Sequence, residues 1–253
     1  MRKFTFGLLG GLLILTLFNG CLPDDELSIP VNVNLHLAMG TNTPGISYVD
    51  FHNAVIAVQQ INFYGIREEG SEIFFNSRPD VPFGIYAIRI NQPAPRIDAF
   101  DIPQGVYNQM RWEMQTREID DDFYEDYFDE DLDEFIDVDD FGVIIEGKYT
   151  RENGSKILLF IAIDPKEVLM MDTYDAAGNN QLTLLSGKTY KVSLEINPYL
   201  AIENIERFLL EHAETDEEDD IEFIEISSDE NEDLYERILF RLKNTIKAVV
   251  EEQ

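Results

Sequence analysis

The chain is poor in basic residues, cysteine and histidine. It has 253 residues, with 19 Lys and Arg against 50 Asp and Glu, which gives a formal net charge of −31. Because nucleic-acid binding needs Lys and Arg to neutralise phosphates, this composition excludes an electrostatic nucleic-acid partner. A single cysteine excludes an internal disulfide and a multi-cysteine zinc site. The three histidines, His36, His52 and His212, are far apart in the sequence and lack metal-ligand spacing, so a transition-metal site has little support.

Sequence motifs for catalysis are also scarce. The chain contains no Gly-x-Ser-x-Gly elbow, no Walker A motif and no dinucleotide-binding glycine pattern. We therefore expect a protein that is not an enzyme and requires no cofactor. The alternative from a different class is a metal-dependent hydrolase that uses an acidic loop. With 44% hydrophobic residues, the chain can form a proper core.

The first twenty residues predict a signal peptide. Arg2 and Lys3 precede an apolar run over 4–18, which is shorter than the about 20 residues that span a bilayer. Gly20 then precedes Cys21, the only cysteine. This arrangement resembles the lipobox of bacterial lipoproteins, and it implies cleavage before Cys21 and attachment of diacylglycerol to its thiol. An ordinary cleaved signal or an uncleaved anchor are the alternatives.

Residues 21–28 form an acidic tether after the predicted lipidation site. Asp24, Asp25 and Glu26 resemble the surface-export signal of lipoproteins from Bacteroidota. The resemblance implies an outer-membrane protein anchored by its acyl chains and exposed at the cell surface, since two or three chains hold a protein firmly. In the alternative interpretation this segment is a plain polar spacer and the protein faces the periplasm.

Residues 29–197 predict an antiparallel β-sandwich. The segment 29–39 alternates apolar and polar side chains, which is typical of a half-buried strand. Gln59 and Gln60 interrupt a second strand as a bulge does. Asn153-Gly154 predicts a hairpin turn between two further strands. Eight or nine such short strands, with turn residues between them, favour a sandwich.

Two short motifs carry a family resemblance for this segment. They are Ile102-Pro103-Gln104-Gly105-Val106-Tyr107 and Gly187-Lys188-Thr189-Tyr190. The first resembles the turn that starts a strand in transthyretin-like and immunoglobulin-like domains. Together with the lipobox, the layout is similar to that of β-sandwich lipoproteins from Bacteroidota. That resemblance implies the sandwich fold and carries no catalytic residue over to this chain.

Residues 198–253 predict an acidic, helical extension that caps the sandwich. Ile202, Ile205 and Leu209 lie at helical spacing, and so do the apolar residues between Leu234 and Val249. Between these helices, the segment 221–226 alternates acidic and apolar residues like an edge strand.

The segment 118–140 is an acidic insertion with 14 Asp and Glu in 23 residues. Four of them occupy positions 1, 3, 5 and 9 of a calcium-loop template: Asp129, Asp131, Asp133 and Asp137. Glu134 stands where that loop needs Gly, which excludes an EF-hand. Two hypotheses remain for the insertion. It is either a solvated hairpin whose aromatic residues rest on the sandwich, or a segment ordered by Ca²⁺ or Mg²⁺.

The aromatic residues divide into core and ligand candidates. Trp112 has apolar neighbours at strand spacing, which predicts a buried position. Tyr48, Phe51 and Tyr64 lie at or near loops and are better candidates for contacting a sugar. We expect a cell-envelope lipoprotein with a non-catalytic binding or envelope-organising role, whose partner besides the membrane is a glycan or another envelope protein. A surface module for glycan capture or adhesion is the alternative.

Overall fold

The computed structural model describes residues 28–41, 46–78, 80–90, 92–120, 136–218 and 221–253. The lipidation prediction at Cys21 and the cation predictions at Asp129, Asp131 and Asp133 lie outside these residues. The fold is mainly β, with 53% strand and 14% helix, which confirms the predicted class. Among the described helices, none has the length and apolar character that crossing a membrane requires.

Strands dominate the described residues, and helices occur near the C-terminus. The strands are β1 Pro30–Met39, β2 Val49–Arg67, β3 Ile73–Asn76, β4 Gly84–Arg89, β5 Arg96–Pro103, β6 Gly105–Thr116, β7 Val143–Thr150, β8 Lys156–Ile163, β9 Val168–Asp175, β10 Leu182–Leu184, β11 Thr189–Ile196, β12 Asp216–Glu218, β13 Ile221–Ile226 and β14 Lys247–Glu252. The helices are α1 Pro198–Ile202, α2 Arg207–Glu211 and α3 Glu232–Thr245, and a 3-10 turn covers Val138–Asp140.

The strands form one curled sheet with the order β12-β13-β8-β7-β2-β6-β9-β14-β11-β1-β5. Strands β3 and β4 add to β2, and β10 adds to β6. Strand β9 joins two halves, because residues 168–172 pair with β6 and residues 173–175 pair with β14. We call β1, β5, β11 and β14 the β1 half, and the strands on the other side of β9 the β2 half.

The prediction of an antiparallel β-sandwich is wrong in part. Three strand pairs are parallel, namely β1 with β11, β8 with β13 and β9 with β14. Each parallel pair joins strands that are distant in the sequence, as parallel pairing requires a crossover connection. The result is a curled half-barrel of mixed strands.

The main core lies between the inner faces of the two halves. Val33 and Leu35 of β1 and Val192 of β11 are fully buried from one side, and Phe63 and Trp112 are fully buried from the other. The rings of Phe63 and Trp112 lie 4.8 Å apart between centroids. The predicted core position of Trp112 is therefore confirmed.

A smaller apolar cluster covers the outer face of the β2 half. Val55 of β2 and Ile144 of β7 pack there with residues that flank the predicted acidic insertion, among them Ile119, Val138 and Phe141. The described ends of the insertion thus rest on the sheet. Its middle, over 121–135, lies outside the described residues.

The C-terminal segment differs from the predicted helical cap. Three helices do occur there, but the last strand, β14, lies inside the sheet between β9 and β11. Helix α3 ends at Thr245, and Ala248 and Val250 of β14 then face the core. The predicted helical spacing runs to Val249, whereas the helix ends before Ile246.

Candidate binding surface

Four strands present a polar outer face with accessible aromatic and apolar side chains. Along β2, Ile61 and Phe63 point into the core, so Asn62 and Tyr64 point outward, as the two-residue period of a strand requires. The same alternation holds in β3, β6 and β9. We call this surface the platform, and it consists of Asn62, Tyr64, Phe74, Gln109, Arg111, Glu113, Met170 and Asp172.

Cross-strand register arranges the platform in two rows. In one row Phe74 lies opposite Tyr64, Tyr64 opposite Arg111, and Arg111 opposite Asp172. In the other, Asn62 lies opposite Glu113, which lies opposite Met170. Since neighbouring strands are about 4.8 Å apart, a row across four strands is about 14 Å long.

Accessible apolar side chains and hydrogen-bonded polar groups share the platform. Phe74 is 64% exposed and Met170 is 55% exposed, values that are high for such large apolar residues. Arg111 Nε donates to Asp172 Oδ1 at 2.9 Å, and Gln109 Nε2 donates to the same oxygen at 3.3 Å. The hydrogen bond to Asp172 raises the pKa of the Arg111 guanidinium above its ordinary value. The arrangement can therefore offer both apolar contacts and directed hydrogen bonds to a ligand.

One end of the platform leads to a groove of about 660 Å³. Tyr174, two residues beyond Asp172 on the same face of β9, forms part of its wall. The turn over 175–178 and the charged side chains of Glu195 and Lys247 complete the groove. An extended ligand on the platform could continue into it.

The three aromatic ligand candidates have different positions. Tyr64 lies on the platform and is half-buried, so that prediction stays open to test. Phe51 is fully buried and packs edge-on against Tyr199, so the prediction that it contacts a ligand is wrong. Tyr48 is half-buried, with the guanidinium of Arg207 5.6 Å from its ring centroid. The sequence did not single out Phe74, Arg111 or Asp172, because it does not show which face of each strand is accessible.

A second polar cluster surrounds a β-bulge in β2. Phe51 is opposite Gly147 and Asn53 is opposite Glu146, so His52 is the extra residue of the bulge. His52 Nε2 lies 2.6 Å from Glu146 Oε1, and Asn53 Nδ2 donates to Glu146 Oε2 at 3.3 Å. Gly147 allows the close approach, since a Cβ there would lie 2.8 Å from Phe51 Cδ1.

The bulge holds a histidine whose charged form is favoured. The hydrogen bond to Glu146 raises the pKa of His52 above its ordinary value, although partial burial of the ring opposes this. The side chain of Glu146 is 12% exposed and that of His52 is 41% exposed. The pair is therefore a half-shielded ion pair when His52 is protonated.

This pair predicts a pH-dependent contribution to stability. A raised folded-state pKa means that the contribution is complete below the unfolded pKa of about 6.5 and is lost as the pH rises through the folded value. In a double-mutant cycle of His52→Gln and Glu146→Gln, we expect a coupling of about 1 kcal/mol at pH 5.5, given the exposure of His52, and a smaller coupling at pH 8.5. Urea unfolding at both pH values measures it.

The ion pair of Arg111 and Asp172 is the control for this cycle. This pair contains no histidine, the side chain whose ordinary pKa lies between pH 5.5 and 8.5, so its coupling should not change over that range. A His52–Glu146 coupling that is equal at the two pH values would contradict the prediction.

Of the four predicted cation ligands, the structure describes Asp137. It is exposed and lies beside the 3-10 turn, where one carboxylate oxygen each from Asp137, Asp139 and Asp140 lie within 4.8 Å of one another. Exposed acids of this kind are common on protein surfaces, so the binding of Ca²⁺ or Mg²⁺ stays a prediction. The ring nitrogens Nδ1 of His36 and His212 form hydrogen bonds elsewhere, with the carbonyl oxygens of Ala94 and Phe208.

Comparison of the chain with protein-family models, with curated proteins and with solved structures found no match in any of the three. The function proposed below therefore depends on the residues of this chain alone.

Proposed function

We propose that the protein is a lipid-anchored envelope protein that binds its partner without catalysis, through the platform. The observation that carries the binding role is the accessibility of Phe74 and Met170 on the same sheet face as the hydrogen-bonded side chains of Arg111 and Asp172. Apolar surface that is rimmed by polar residues is a feature of interaction sites, whereas single exposed apolar residues are common on protein surfaces. The lipobox-like Gly20-Cys21 supports the anchor.

The charge of the chain is consistent with a domain held away from the membrane. A formal charge of −31 repels anionic lipid headgroups and keeps the domain soluble. A tether over 21–28 would attach it at a distance from the bilayer. The platform would then face the aqueous phase, either outside the cell or in the periplasm.

The anchor is tested by replacing the single cysteine. We expect the full chain, expressed in a bacterium that processes lipoproteins, to incorporate labelled palmitate and to sediment with membranes. Cys21→Ser should lose the label and leave the membrane fraction, because no other residue can supply the thiol. Equal labelling and equal membrane association of the two forms would contradict the anchor.

The orientation of the domain is tested separately by the acidic tether. Protease treatment of intact cells should degrade the wild-type domain if Asp24, Asp25 and Glu26 direct export. A variant with all three changed to Ala should keep its lipid label but be protected until the cells are lysed. Protection of the wild type as well would place the domain in the periplasm.

A further inference from the structure

We propose that the ligand of the platform is a neutral carbohydrate chain. This inference rests on the proposed function, since it names the ligand class of the same surface. It is carried by the side chains that the register places together, by their hydrogen bonds and by the charge of the whole chain.

The apolar part of the platform suits the faces of sugar rings. Phe74 lies directly opposite Tyr64 on the neighbouring strand, and Phe74 is 64% exposed. A pyranose ring has an apolar C–H face that packs against an aromatic ring, while its hydroxyl groups project at the edges. Tyr adds a phenolic hydroxyl that can donate or accept at the rim of such a contact.

The polar part of the platform suits hydroxyl groups, which both donate and accept. Arg111 donates to Asp172 through Nε, and within the described part of the chain its two terminal nitrogens keep their donors for a ligand. Asp172 Oδ1 accepts hydrogen bonds from both Arg111 and Gln109. These bonds fix the carboxylate and leave Oδ2 as an acceptor. In the second row, Asn62 Nδ2 donates to Glu113 Oε1 at 2.7 Å. The platform therefore holds two sets of donors and acceptors, each fixed by its own hydrogen bonds.

The electrostatics favour a neutral ligand over an anionic one. The one guanidinium on the platform is paired with Asp172, and the chain as a whole carries a charge of −31. A polyanion would be repelled during its approach and would meet no unpaired positive charge on this surface. The length of a row, about 14 Å, and the groove beside Tyr174 suit an extended chain rather than a single sugar.

The test is retardation of the detergent-solubilised full chain in native gels that contain a soluble polysaccharide. The probes are an α-glucan, a β-glucan, a xylan and a mannan, with polygalacturonate as the anionic comparison. We expect at least one neutral polysaccharide to retard the wild type. The Tyr64→Ala, Phe74→Ala double variant should lose affinity for it about tenfold or more, because it removes two aromatic contacts.

Phe240→Ala is the matched control, because Phe240 is 70% exposed but belongs to α3 and not to the platform. It should bind as the wild type does. Retardation by polygalacturonate alone, by none of the polysaccharides, or to the same extent in the double variant would overturn the inference.

A photo-crosslinking residue in place of Tyr64 separates this failure from that of the proposed function. In intact cells, crosslinking to a protein together with no retardation by polysaccharides overturns the carbohydrate inference and leaves a binding role for the platform. No crosslink and no retardation overturn both. Crosslinking to polysaccharide, lost in the variant that also carries Phe74→Ala, supports both.

Discussion

Deletion of residues 247–253 is expected to abolish cooperative folding of the domain. Strand β14 pairs with β11 over six residue pairs and with β9 over three, so its removal breaks the sheet between its two halves. Ala248 and Val250 are also lost from the core. The expected destabilisation is larger than about 4–5 kcal/mol, the size at which the effect of a point mutation becomes exceptional. It is comparable to the whole free energy of unfolding of a domain.

Circular dichroism and urea unfolding check this expectation. The shortened chain should lose its cooperative transition and aggregate, because β9 and β11 would present unpaired edges. Deletion of Gln253 alone is the control, since it removes the backbone hydrogen bond to Thr189 and the exposed side-chain hydrogen bond from Asn34 but leaves β14 in place. A shortened chain that unfolds cooperatively, with a midpoint near that of the wild type, would contradict the role of β14 as a central strand.

Strand β14 could not be predicted from the sequence, because a helical spacing and a strand alternation overlap there. Leu242, Ile246 and Val249 continue the helical spacing of α3, whereas the strand contributes only Ala248 and Val250 to the core. A strand of six residues is too short for its alternation to prevail over that helical pattern. Its partners, β9 and β11, lie more than 50 residues earlier, and such pairing leaves no local signal.

Local features of the fold were more predictable. The alternation in 29–39 corresponds to β1, and the interruption at Gln59-Gln60 corresponds to a register shift in the pairing of β2 with β6. The Asn153-Gly154 turn connects β7 to β8, with Gly154 at a φ of +86°. Each of these depends on neighbouring residues. Strand order and the three parallel pairs depend on the whole chain, and prediction failed there.

The platform was only partly visible in the sequence for a related reason. The two-residue period separates Tyr64 from Phe63, but it does not say which of the two faces the opposite half of the sheet. In the structure Phe63 packs against Trp112, so Tyr64 lies on the outer face. On β3, Phe75 points inward and stacks on Phe63, which places Phe74 on the outer face as well.

Trp112→Ala is expected to destabilise the domain by about 3–5 kcal/mol. Trp112 is fully buried in β6 and contacts Phe63 of the β2 half and Phe100 of the β1 half, with ring centroids 4.8 Å and 5.6 Å away. Its removal would therefore leave a cavity where the two halves meet. Because Trp112 is the only tryptophan, urea unfolding is followed by far-UV circular dichroism instead of by fluorescence.

Two further variants show whether the effect comes from lost packing. The indole Nε1 of Trp112 is buried and has no hydrogen-bond partner among the described residues, so Trp112→Phe removes this donor together with part of the ring. We expect it to cost less than half as much as Trp112→Ala. Phe74→Ala removes a 64% exposed ring from a neighbouring part of the sheet and should change the stability by about 0.5 kcal/mol or less. If Trp112→Ala and Phe74→Ala lowered the free energy of unfolding equally, the indole would not join the two halves. The aliphatic residues of β1 and β11 would then stabilise the core between them.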